Sequence, residues 1–285
     1  MTGPLLEGAV DVHVHTAPDL VERYETDLAL ARDALDAGMA GIVVKSHVVP
    51  TVGRVDLINE AVGAEILHGG IALNGSVGGV NPDAVRTALE LGASIVWLPT
   101  AWSANHARQA RAAGVESFVG QPVPGPDEQI DVVEDGELTP DARRVVELVG
   151  EYDAVLGTGH LAPEATELVV RACADLGTRC LVNHPFFRVV DLPIETQAEL
   201  ADHGAVMEYC AYAVRSTDGH SVDRIAEAVE RVGPENCLLA TDFGQAENPP
   251  VPGLESYARR LEDAGLSRGT VRRLLRDTPT ELLGW

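Results

Sequence analysis

Ala9-Val-Asp-Val-His-Val-His-Thr16 decides how this chain is read. Valines at 10, 12 and 14 alternate with Asp11, His13 and His15, the period-two pattern of a β-strand. Such a strand carries an apolar row on one face and a carboxylate with two imidazoles on the other. Three polar groups in a row are costly to bury without partners, and a metal ion is the most economical partner for all three. The polar side of a solvent-facing edge strand is the alternative, and the rest of the chain has to arbitrate.

Working outward, apolar strand-like runs recur at Gly41–His47, about 66–74, Ser94–Pro99, Ala154–His160, Arg179–His184, Ala205–Cys210 and Cys237–Asp242. Helix signals fill the gaps: 26–38 with Thr26 as N-cap and Gly38 as stop, about 54–62, and a helix opened by Asn81-Pro82. Further helices are expected near 104–112, 140–150, 163–176, 194–203 and 221–232, and from about 254 to the end. Residues 114–139, rich in Gly, Pro, Asp and Glu, interrupt the rhythm and read as a lid-like excursion. Eight strands alternating with helices predict parallel βα units closed into one (β/α)8 TIM-type barrel over residues 1–285. The dinucleotide-binding alternative lacks its Gly-x-Gly-x-x-Gly after the first strand.

Composition bounds the function classes. The 285 residues include 45% hydrophobic ones, enough for a sizeable core. With 44 acidic against 21 basic residues the net charge is −23, which argues against nucleic acid or an anionic membrane as partner. No apolar run approaches the ~20 residues of a membrane helix. The opening Met-Thr-Gly-Pro lacks a basic n-region, so a cytoplasmic protein is expected, with a small-molecule substrate and a homo-oligomer as an open option. Cys173, Cys180, Cys210 and Cys237 stand singly in apolar stretches and read as small core residues. Lys45 is the one lysine of the chain, inside an apolar strand-like run where lysine is expensive.

Position singles out the functional candidates. His13, His15, Lys45, His47, His160, His184 and Asp242 all lie at the C-terminal ends of expected strands, which in a barrel converge on one face. Lys45 and His47, two residues apart, share a strand face. Imidazole and carboxylate together suit zinc, or manganese or iron. Lysine is a poor ligand unless it carries CO2 as a carbamate; otherwise Lys45 is a buried cation paired to Asp11 or Asp242. His68, His203 and His220 fall outside this pattern and read as surface or capping residues.

Asp11-Val-His-Val-His, Gly-His160, Asn-His184 and Thr-Asp242, in that order at those strands, resemble the amidohydrolase superfamily, as does the closing Asp277-Thr-Pro-Thr-Glu-Leu-Leu-Gly284. The resemblance spans essentially the whole chain. It implies a barrel holding one or two divalent metals, His13, His15 and Asp242 on the buried ion and His160 and His184 on the more exposed one. Its binuclear members take a bridging lysine from strand 4, where Ser94–Pro99 has none; a carbamylated Lys45 would substitute. A second resemblance, to the polymerase-and-histidinol-phosphatase phosphoesterases, lacks their final Asp-x-His, since Phe243-Gly follows Asp242.

The expected reaction is hydrolysis of a carboxylic ester, lactone or amide by metal-activated water, with Asp242 as ligand and proton acceptor. His47 and His106 are candidates for steadying substrate or oxyanion, His106 with helix capping as its other reading. Glu208 faces the pocket only in one of two strand registers and stays outside the core set. A mononuclear decarboxylase or hydratase, and a barrel that binds without catalysis, are the rival readings.

Overall fold

Strands and helices alternate through the computed structural model, which describes residues 4–115, 119–120, 123–216 and 221–285. The first half runs β1 (Val10–Val14), α1 (Asp27–Asp36), β2 (Gly41–Val44), α2 (Val52–Val62), β3 (Leu67–His68), β4 (Gly70–Ala72), α3 (Pro82–Glu90), β5 (Ile95–Trp97) and α4 (Ala104–Ala113). A small hairpin follows, β6 (Val133–Glu134) and β7 (Glu137–Leu138), then α5 (Pro140–Glu151), β8 (Val155–Gly157), α6 (Pro163–Leu176), β9 (Arg179–Val182) and α7 (Ile194–Asp202). The chain ends through β10 (Ala205–Cys210), α8 (Ala211–Ser216), α9 (Val222–Val232), β11 (Cys237–Ala240), α10 (Pro250–Asp263), α11 (Arg268–Arg272) and α12 (Thr278–Leu283). Among the described residues no helix is long and apolar enough to cross a membrane.

The strands are parallel and run in the order β11-β10-β9-β8-β5-β4, with β1-β2-β3 as a second run. β3 and β4 are halves of one extended segment broken at Gly69, where a Cβ would meet Val52 Cα at 2.5 Å. The remaining seam lies between β1 and β11: Asp242 N donates to His13 O (2.9 Å), His15 N donates to Phe243 O (2.8 Å), and Val14 bridges Phe243. The ring is the expected (β/α)8 barrel.

The interior holds Val10, Val12, Val43, Ala72, Ile95, Trp97, Val155, Leu181, Leu238 and Ala240, closed by Leu282 and Leu283 of α12. Trp97 dictates its neighbours, since a Cβ at Gly70 or Gly157 would stand 2.5 Å from its ring. The alternation expected for strand 1 is broken. A one-residue irregularity lies between Asp11 and Val14, where three steps of β1 oppose two of β2. Val10 and Val12 therefore join the interior cluster, whereas Val14 packs with the outer helices. Asp11 leaves the histidine face and serves the seam, accepting from Thr241 Oγ1 (2.7 Å) and Thr241 N (3.1 Å).

Caps follow the sequence: Thr26 accepts from Ala29 N, and Asn81 accepts from Asp83 N and Ala84 N ahead of Pro82. α2 starts at Val52 and α10 at Pro250, a little before the expected points, and α8 is an addition in what reads as a loop. Within 114–139, Asp135 and Gly136 both take positive φ and turn the β6–β7 hairpin, which Val132 anchors in the core. Residues 116–118 and 121–122 of that stretch, and His220, lie outside the described residues.

Candidate metal centre

Seven sequence-predicted residues meet at the C-terminal ends of the strands. His13 and His15 come from β1 and the residue just past it, Lys45 and His47 from the end of β2, and His160, His184 and Asp242 from just beyond β8, β9 and β11. All are buried except Asp242, whose side chain keeps 14% exposure. Asp242 Oδ1 stands 3.2 Å from His13 Nε2 and 3.1 Å from His15 Nε2. Lys45 Nζ lies 3.0 Å from His13 Nε2 and 5.3 Å from the Trp97 ring centre. The His15 and His47 rings stack at 4.8 Å, and His184 lies 5.0 Å from His160 and 5.8 Å from His13. His184 (φ 30) and Asp242 (φ 52) adopt the left-handed region, sparsely used by non-glycine residues and concentrated at functional sites.

Glu208, held back on the sequence for want of a register, faces this cluster. It is fully buried, with both oxygens 3.2 Å from His13 Nδ1, and it accepts from Asn183 Nδ2 at 2.9 Å. The signal in the sequence was a carboxylate inside the apolar run Ala205–Cys210; only the pairing of β10 with β9 and β11 fixed its side. Burial alone would raise the pKa of Glu208, but the neighbouring His13 and the hydrogen bonds outweigh that and hold it below the usual carboxylate range. Cys210 is more than a core residue, with Sγ 4.0 Å from His13 Nδ1.

His106 packs behind His160, rings stacked at 4.8 Å and Nδ1 atoms 2.7 Å apart. His68 packs at a tilt against Trp285 and His203 caps α7, both away from the cluster. Burial holds the imidazoles of His15, His47 and His160 well below their usual protonation range and those of His184 and His106 at about 4. Burial likewise lowers Lys45, against the pull of Asp242 and Glu208. Neutral imidazole is the form that binds a metal.

The donor set fits a cation. A proton held on His13 Nδ1 by Glu208 leaves the Nε2 lone pair facing Lys45 Nζ at 3.0 Å and Asp242 Oδ1 at 3.2 Å, the latter acceptor against acceptor. Among the described residues, Nδ1 of His15 and of His184 are buried without a hydrogen-bond partner. His13, His15 and Asp242 each offer one atom within 4.8 Å of the others, as do His13, Glu208 and Cys210. Above them opens a cavity of about 240 Å³ whose walls include His15, His47, Asp242, Tyr212 and Arg23, with Val119 and Gly120 of the 114–139 excursion at its edge.

A family model described as "Family of unknown function (DUF6282)" matches residues 8–208. The chain belongs to that family. No curated protein matches the sequence of this DUF6282 member at a significant level. Its fold is shared with several solved structures. It is similar to an amidohydrolase from Pseudomonas aeruginosa (14% identity, 98% of this chain and 96% of that one, TM-score 0.64). A dipeptidase described as a metallo peptidase of family M19 is similar too (14%, 97% and 98%, TM-score 0.62). So is a 2,6-dihydroxybenzoate decarboxylase from Rhizobium (11%, 98% and 99%, TM-score 0.54). The solved structures thus include both hydrolases and decarboxylases.

Proposed function

We propose that this chain is a metal-dependent hydrolase that cleaves a carboxylic ester, lactone or amide. The observation that carries the reading is Asp242: alone among the clustered carboxylates it opens to the cavity, while its Oδ1 sits between the Nε2 atoms of His13 and His15. His13, His15 and Asp242 would hold one divalent ion, with His160 and His184 as ligands of a second. Zinc suits this set best, manganese or iron next. When bound, the metal supplies a water acidified to a pKa of about 7 and polarises the scissile carbonyl.

The protein's own groups do the rest. Asp242 takes the proton of the attacking water on its carboxylate and returns it to the leaving oxygen or nitrogen. Glu208 fixes the ring of His13 through Nδ1. His106 does the same for His160: with the proton shared between their Nδ1 atoms, 2.7 Å apart, placed on His160, its Nε2 is the ligand atom. His47, tied to Thr100 Oγ1 at 2.8 Å and lining the cavity, steadies the substrate carbonyl. Burial lowers the pKa of Lys45 and so favours the neutral amine that takes up CO2; its carbamate would supply an anionic ligand.

Elemental analysis of the purified protein together with an ester, lactone and amide panel tests the reading. Bound metal and turnover that vanishes in Asp242→Asn are expected; unchanged turnover in metal-free protein would exclude it. Decarboxylation is the second reading, favoured by β5 turning Ile95 and Trp97, and no lysine, to the interior where a bridging lysine would serve a binuclear hydrolase. Release of CO2 without uptake of oxygen from labelled water would select it.

A further inference from the structure

The cavity above Asp242 is lined by a cation that the hydrolysis just described does not use. Arg23 belongs to the segment joining β1 to α1, which is fastened to the chain just past Asp242: Arg23 bridges Gln245, and Tyr24 N donates to Gly244 O at 2.9 Å. The Arg23 side chain is only 3% exposed. Its Nε and Nη2 both donate to Asp19 Oδ2, at 2.9 and 2.7 Å, while Asp19 Oδ1 accepts from Leu20 N. The carboxylate of Asp19 thereby orients one edge of the guanidinium. Among the described residues Nη1 has no hydrogen-bond partner, and the side chain lines the same cavity as His15 and Asp242.

A guanidinium has five donors in a planar fork, and here only one edge is taken. The free edge suits a carboxylate on a small molecule. Phosphate is the poorer match: a dianion would face one cation, already half neutralised by Asp19, with Glu22 and Glu247 on the exposed rim. At about 240 Å³ the cavity is below the roughly 300–1,000 Å³ of drug-sized sites, so the ligand is small. We propose that Arg23 anchors the carboxylate of a small acidic substrate whose ester or amide carbonyl lies against Asp242. The bond that is cut rests on the hydrolase reading above; the binding of the acid does not.

The test is calorimetry on the metal-loaded protein with N-acetylglycine and with N-acetylglycinamide, in which a neutral amide replaces the carboxylate. The acid is expected to bind roughly ten- to a hundredfold tighter, the range that a charge-assisted hydrogen bond supplies. Arg23→Gln should erase that preference, Arg23→Lys should keep part of it, and Asp19→Asn, which loosens the ion pair but leaves Arg23, should keep most of it. A preference that survives in Arg23→Gln would put the acid elsewhere, the metal included, and overturn the assignment. So would tighter binding of the matching phosphonate. Should Arg23→Gln not fold, the unsubstituted protein decides: equal affinity for acid and amide, or a crystal structure with the acid away from Arg23, defeats the proposal. A chain that binds the acid through Arg23 yet cleaves no ester or amide would refute hydrolysis and leave this assignment standing.

Discussion

The two sides of the candidate centre are built on opposite electrostatic plans. Around His13, charges alternate: Glu208 on Nδ1, Lys45 and Asp242 on Nε2, each within 3.2 Å. Around His160 they add. The groups that act on it are His106, His184, Lys45 and His47, all cationic when charged, and burial keeps the imidazoles neutral. The first side can hold its shape by itself, whereas the second has lone pairs and, among the described residues, no counter-ion close by. A metal therefore has most to add on the His160 side, and an anion is what that side lacks. A carbamate on Lys45 would supply one by turning a cation into an anion at the boundary of the two.

The largest effect should come from the residue that both plans share. Asp242→Asn keeps the shape of the side chain but removes the proton acceptor, and turnover on a responsive ester should fall roughly 100- to 10,000-fold with the melting profile nearly unchanged. Glu208→Gln strikes the alternating side. An amide donor would face the His13 Nδ1 proton, and chemical denaturation should show a loss of about 1–3 kcal/mol with weakened metal binding. Equal stability would mean that Glu208 does not set that side.

His106→Phe strikes the additive side, keeping a ring behind His160 but removing the shared proton. Metal affinity there, followed by competition with a chelator, should drop about tenfold while the tighter ion stays. Lys45→Arg cannot form a carbamate and should leave one ion bound where two were; full occupancy and activity would reject the carbamate. The smallest effect is on acid stability of the metal-free protein. His184 and His106 titrate at about 4 in the fold against about 6.5 unfolded, so between those values the unfolded chain binds more protons. Stability should be full above about pH 6.5 and fall as pH drops toward 4, read as a falling melting temperature.

Most of the centre was legible because a barrel converts position into proximity: an imidazole at the end of a strand run needs no other signal to be placed on one face. That logic located His13, His15, Lys45, His47, His160, His184 and Asp242, though they span most of the chain. It failed where facing depends on more than parity. Glu208 sits mid-strand, so a one-residue register separates a site residue from an outward one. Asp11 shares the period of the two histidines yet is turned to the β1–β11 seam by the irregularity in β1. Arg23 carries no signal at all, being one of many polar residues in a connecting segment until its backbone is pinned beside Gln245.

By itself the sequence determined the alternation of strands and helices, their caps at Thr26 and Asn81, and the polar residues that end the strands. These follow from local chemistry: periodicity, capping hydrogen bonds and the expense of polar groups in apolar runs. Only the tertiary structure decided which side of β10 Glu208 takes, that His106 backs His160 instead of lining the cavity, and that Arg23 reaches the reactive end. Those outcomes depend on contacts between segments far apart in the chain, where register and loop path, not residue type, set what each side chain meets.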